Sequence, residues 1–320
     1  MVPFLRFQWV AKWCHSIELR HVREIHAIFR PWYAQYGHTR LSKLLEELPF
    51  TTTIALIYSA NLGEKDLFQA VHAVASSSLC RARRREILSV ALASKNQLGA
   101  IECLAVMTIN RDEVFVYMSE AISNGNTVTA QHLALQMRDQ DERTMHRRWF
   151  FPRAQDRIQS HVRQAMRSNR LEGVCWLLET YAHCIPAGCS KWIARLRRDC
   201  RRWALEFHHF DSLPMLSNTK MQPSDEDWED LMHCIKSTLL EAVAWLVCTK
   251  AVHVQPRHIL QAAKSFQPYH APSMAIFELV LSTVVDKREK IHVLTLCNDR
   301  RFKHGRTVLN FDRYIRQYEG

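Results

Sequence analysis

Glycine is scarce in this chain, 8 residues in 320, and there are only 10 prolines. A loop that cradles phosphate needs clustered glycines so that backbone N–H groups can approach the anion, and no such cluster occurs. Gly-x-Ser-x-Gly and His-Glu-x-x-His are equally absent, which removes the local signatures of a nucleophile elbow and of a zinc hydrolase. Long apolar runs are missing too. The strongest, Leu239–Cys248, contains Glu241 and is too short to cross a bilayer. Arg6 and Lys12 interrupt the opening residues before a secretory core could form. The expectation is an intracellular, cytoplasmic chain without membrane association.

Hydrophobic residues make up 47% of the sequence, which excludes a largely disordered chain. With little glycine and little strand-like alternation, the expected fold is all-α with short connections. Ten cysteines lie scattered in apolar surroundings, a pattern of reduced, buried thiols rather than a disulfide framework.

Four stretches repeat one plan, an apolar helical run, a short polar turn and a second apolar run. They are Ile54–Val71, Ile87–Met107, Val116–Met137 and His161–Tyr181. Ser59/Asn61, Ser94/Asn96, Ser123/Asn124 and Ser168/Asn169 mark the turns. Asn and Gly tolerate the left-handed backbone that ends a helix, and an Asn or Ser oxygen caps the next one. Ala55, Ala91, Ala121 and Ala165 sit shortly before the turns, where small side chains let two helices approach closely. Such hairpins cannot bury their apolar faces singly and must stack on their neighbours.

The rest of the chain follows from this plan. Residues 1–50 are rich in aromatics (Phe4, Trp9, Trp13, Phe29, Trp32, Tyr33) and read as a helical end cap, with a helix break expected at Arg30-Pro31. Residues 51–216 hold the hairpins, 217–227 a polar loop, and 228–320 further hairpins and a terminal helix. In the helix expected over residues 187–216, Trp192, Leu196, Cys200, Trp203 and Phe207 share one face, while Arg195, Arg197, Arg198, Arg201 and Arg202 occupy the remainder.

Charge is concentrated. Residues 143–202 carry 14 Arg or Lys against 4 Asp or Glu, a local +10 out of a net +11. A positive zone of this kind attracts acidic protein surfaces or nucleic acid. The candidate partner-binding residues are Arg147, Arg148, Arg157, Arg163, Arg167, Arg170, Arg195, Arg198 and Arg202. Trp149, Phe150 and Phe151 interleave with them and offer faces for base stacking, so nucleic-acid binding through this zone stays open beside protein binding. Arg81–Arg85 is a candidate nuclear import patch.

Cys184, Cys189, Cys200 and His208 are the nearest approach to a zinc ligand set. Cys200 lies on the apolar helix face and does not form a second close pair with His208, so no metal and no cofactor is implied. Asp139, Asp141 and Glu142 read as a solvated helix end rather than an acid–base pair.

The segment Ser168–Glu179 (SNRLEGVCWLLE) resembles the second half of an ankyrin repeat, and Ser94–Val106, Ser123–Leu135 and Ser237–Val247 are similar. The Thr-Pro-Leu-His opening of a typical ankyrin repeat is absent. The chain is thus similar to degenerate ankyrin-like arrays such as those of large DNA virus multigene families and microbial effectors. That resemblance implies an irregular solenoid of stacked antiparallel helical hairpins and a non-enzymatic scaffold or adaptor, in a viral or microbial setting a host-interaction protein.

Overall fold

The computed structural model describes residues 19–48, 51–75, 81–94, 96–107, 109, 111–138, 151–184, 190–217, 223–250, 252–300, 303–304 and 307–319. Their regular secondary structure is helical, apart from a two-residue antiparallel ladder, β1 (Lys303–His304) with β2 (Thr307–Val308). No described helix is long and apolar enough to cross a membrane. The chain divides into two compact units, residues 1–184 and 185–320. That division falls inside the span 51–216 that the sequence groups together.

In the first unit, α1 (Leu19–Tyr36) and α2 (Leu41–Glu47) precede four helix pairs. These are α3 (Thr51–Leu62) with α4 (Lys65–Ala75), α5 (Arg81–Leu92) with α6 (Gln97–Val106), α7 (Arg111–Asn124) with α8 (Thr127–Arg138), and α9 (Phe151–Arg167) with α10 (Leu171–Cys184). Each pair packs within itself, α3 touches α5, α5 touches α7 and α7 touches α9. The second helices follow the same rule, with α4 on α6 and α6 on α8. Ala55, Ala91, Ala121 and Ala165 are all buried at these approaches, where a larger side chain would hold the backbones apart.

Helices with neighbours on several sides are apolar around most of their circumference. Residues 54–60 of α3 and 114–119 of α7 are buried without interruption. Their hydroxyls are satisfied locally: Ser59 Oγ donates to Ala55 O at 2.8 Å and Ser119 Oγ to Val116 O at 2.7 Å. In α6 Ala100, Cys103 and Leu104 are buried, while Ile101 is half-buried and Ala105 exposed.

Helix α1 runs through Pro31, contrary to the break expected there. Packing outweighs the proline penalty of roughly 3 kcal/mol: Phe29 is fully buried, with its ring 4.9 Å from that of Tyr58 on α3. Phe4, Trp9 and Trp13 lie outside the described residues.

The second unit contains α11 (Ser190–Glu206), a short α12 (Leu213–Leu216), α13 (Pro223–Lys236), α14 (Leu240–Ala244) continuing as a π-helix over Trp245–Thr249, α15 (Pro256–Ser265), α16 (Ala271–Ser282), α17 (Lys287–Asp299) and α18 (Asp312–Glu319). Again α11 packs on α13, α13 on α15 and α15 on α17, while α14 packs on α16. Residues 223–227 of the span expected to be a loop, 217–227, are helix, since Pro223 opens α13.

Candidate functional site: an arginine-lined groove

Helix α11 carries five arginines, more than any other described helix. The structure separates its arginines by what their donors meet. Arg201, which helical periodicity assigns to the wet side, is 97% buried. Its Nε and Nη2 donate to Asp230 Oδ2 at 2.9 and 2.6 Å, and Nη2 also donates to Asp227 Oδ1 at 3.1 Å. Its Nη1 donates to Ser217 Oγ at 2.6 Å and Leu213 O at 3.2 Å, and lies 3.1 Å from Glu226 Oε2. One guanidinium thus ties α11 to both α13 and the segment after α12. Burial pushes the Asp230 carboxyl up to about 6; Arg201 pulls it down, while Asp227 and Glu226 push it up.

The flanking arginines behave differently. Arg198 and Arg202 stand one helical turn apart on α11 and line a groove of about 550 Å³ with Trp228, Glu229, Met232, His233 and Lys236 of α13. The groove is open to solvent rather than enclosed. Arg257 stacks on Trp228, with its guanidinium carbon 3.3 Å from the ring centroid, and so fixes this aromatic wall. Arg198 Nη1 is 4.0 Å from Glu229 Oε2, and Arg202 Nη1 is 3.7 Å from Asp199 Oδ1. The His233 pKa is lowered by burial first and then by Arg202, with Lys236 adding to that; Glu206 and Asp199 oppose them.

Of the other candidate arginines, Arg195 is exposed on α11, and Arg163 and Arg167 are exposed on α9. Arg157 is half-buried on α9. Arg170 serves the fold: its Nη1 donates to the Ser123 carbonyl and, at 3.4 Å, to that of Ile122 at the end of α7. Arg147, Arg148, Trp149, Phe150, Asp139, Asp141 and Glu142 lie outside the described residues, as does the side chain of Phe151. Within the import-patch segment, Arg85 pairs with Glu113 at 3.1 Å.

Among the zinc candidates, Cys200 is fully buried and His208 pairs through Nδ1 with Glu241 Oε2 at 3.0 Å, so each is already committed elsewhere. Cys189 and the side chain of Cys184 lie outside what is described. No group of three or more His, Cys, Asp or Glu among the described residues is placed to hold a metal.

One Ser–His contact exists that the sequence did not suggest, Ser119 Oγ to His161 Nδ1 at 3.1 Å. Ser119 has no accessible surface, and its single proton goes to Val116 O. It therefore accepts from the imidazole and acts as a structural hydroxyl, not a nucleophile.

No protein-family model, curated protein or solved structure matches the chain.

Proposed function

We propose that this protein is a non-catalytic interaction scaffold, an irregular ankyrin-like solenoid of stacked antiparallel helical hairpins that engages an acidic surface of a partner protein inside the cell. One recurring bond carries the scaffold reading. At the turns of the second, third and fourth hairpins of the first unit a polar side chain donates to carbonyls at the end of the preceding hairpin's first helix. Asn96 Nδ2 reaches Leu62 O, Asn126 Nδ2 reaches Leu92 O and Ser94 O, and Arg170 Nη1 reaches Ile122 O and Ser123 O. Nearest-neighbour fastening of this kind is what a stack of repeats requires. Arg163, Arg167, Arg195 and Arg198 remain exposed and suit an acidic partner.

The test is fluorescence anisotropy of the full chain with a labelled polyglutamate peptide and with random single-stranded DNA and RNA, at about 0.05 and about 0.2 M salt. The acidic-partner reading expects peptide binding that weakens with salt and falls in the charge reversals R163E/R167E or R198E/R202E. Absence of peptide binding at low salt, or binding indifferent to both reversals, overturns it. Salt-steep binding of nucleic acid alone transfers the arginines to nucleic-acid recognition.

A further inference from the structure

Arg198 and Arg202 differ from Arg201 between them in how their donors are used. Arg201 meets its hydrogen-bond acceptors at 2.6 to 3.2 Å. Arg198 and Arg202 stand 4.0 and 3.7 Å from their carboxylates, beyond the range of a formed charge-assisted hydrogen bond, and their side chains are 46% and 42% exposed. Two planar donor forks one turn apart on α11 therefore line the groove together with the Lys236 ammonium, Trp228 and Met232 of α13.

We propose that this groove takes a phosphate monoester borne on a side chain of the partner protein, a specialisation that rests on the scaffold reading above. Glu229 already presents a carboxylate to Arg198, and the pair has not closed. A phosphate monoester carries nearly twice the charge and three acceptor oxygens, so it engages both forks and the ammonium together. His233, whose pKa burial and Arg202 lower, is the side chain whose protonated form such a dianion would favour, with Glu206 and Asp199 already pulling the same way. A nucleic-acid strand fits less well. Continuing along α13 towards its start, its next phosphates would meet Glu229 and Asp227. A single phosphate between Arg198, Arg202, His233 and Lys236 competes with Glu229 for Arg198 but does not meet Asp227, which does not line the groove. The open form of the groove suits a side chain on a passing segment better than a small molecule, which is normally enclosed.

The experiment uses the full chain and fluorescent peptide libraries with random flanks and a fixed central phosphoserine, phosphotyrosine, glutamate or serine. Competition arms contain phenyl phosphate, inorganic phosphate and random single-stranded RNA. At about 0.15 M salt, at least one phosphorylated library is expected to bind about tenfold tighter than the glutamate library. R198Q/R202Q should abolish that difference, and R163Q/R167Q should preserve it. Both variants change exposed side chains, and unchanged thermal unfolding confirms their fold. The phosphorylated library should also move the His233 ring titration, followed by NMR, to higher pH.

Equal binding of glutamate and phosphorylated libraries overturns the phosphate proposal and leaves the acidic-partner reading standing. Failure of every library to bind overturns both. Displacement by phenyl phosphate or inorganic phosphate at the peptide's own concentration makes a free phosphate the ligand and overturns the side-chain source. Displacement by RNA under the same conditions overturns it in favour of nucleic acid. A His233 titration that does not move places the peptide elsewhere and also overturns the assignment.

Discussion

The side-chain amide of Asn96 donates to the Leu62 carbonyl at 3.0 Å, 34 residues back and one hairpin earlier. Asn126 repeats the bond one hairpin later, onto Leu92 and, at 3.0 Å, Ser94. The last carbonyls of a helix have no partner within it, and these amides satisfy them from the next repeat. Asn96 also caps its own helix, accepting from Gly99 N at 3.1 Å, so one side chain serves two interfaces. The variant N126A should lose about 1 to 3 kcal/mol in urea unfolding, because buried carbonyls are left without this donor, and N96A, whose bond to Leu62 is exposed, about 1 kcal/mol with the loss of its helix cap. An exposed control, Q164A on α9, should change stability by less than about 0.5 kcal/mol. Wild-type unfolding midpoints for N96A and N126A would show that the bonds do not hold the hairpins together.

Two glycines lock the same junction. A methyl on Gly99 would meet Gly63 O at 2.2 Å and Gly63 Cα at 2.5 Å, and both are backbone atoms that cannot move aside alone. Gly63 itself has φ +68°, a conformation that disfavours side chains. The variant G99A should therefore lose more than about 2 kcal/mol or fail to fold. Gly37 has φ +54° but nothing within 4 Å of its would-be Cβ, so G37A should cost only about 1 kcal/mol. Comparable losses in the two variants would contradict the close packing of Gly63 on Gly99.

The positions of the hairpins were legible because each turn combines Ser, Asn or Gly with flanking apolar runs and a small residue before it. All four pairs fall where these signals placed them, and Ala55, Ala91, Ala121 and Ala165 are buried as close packing requires. The clasp was not legible. Asn96 and Asn126 look like local caps, and nothing in their neighbours names a carbonyl more than 30 residues away. Arg201 misled for a related reason. Periodicity places it with four other arginines, and only the fold brings Glu226, Asp227 and Asp230 against it. Arg170 likewise reads as surface charge until Ser123 and Ile122 come within reach. Pro31 marks the limit of local propensity, since a buried aromatic contact carries the helix past it.

Removing Arg201 strands the carboxylates it holds. Glu226 and Asp230 are buried, and breaking a buried ion pair from one side typically costs about 3 to 5 kcal/mol. The variant R201M should approach that loss near neutral pH. Without the guanidinium the Asp230 pKa rises further above its ordinary 3.8, so the folded variant takes up protons before the unfolded chain does. Its deficit should therefore shrink as the pH falls from about 7 to about 5. A deficit independent of pH over this range, measured by urea unfolding, would mean that lost packing dominates. R195M, at an exposed site on the same helix, should differ from wild type by less than about 0.5 kcal/mol.

His258 supplies a pH dependence of the opposite sign. Its ring is fully buried, its Nδ1 accepts from Gln255 N at 2.9 Å, and burial lowers its pKa from 6.5 to about 4. Arg257 and His253 lower it further, while the Trp228 backbone carbonyl, which favours the protonated ring, opposes them. Between those two pH values the unfolded chain holds a proton that the folded one refuses, so stability rises with pH through the window and is lost as pH falls. Asp230, raised to about 6, takes up its proton in the folded state first and works against this slope. The variant H258Q removes the titration while keeping an acceptor for Gln255 N, as glutamine does in a capping box. The rise in its thermal midpoint from about pH 4.5 to about pH 6.5 should be smaller than in wild type. Superimposable profiles for the two proteins would show that His258 carries none of the acid sensitivity. D230N, which removes the opposing titration, should steepen the wild-type rise, and a flatter profile would contradict the direction assigned to Asp230.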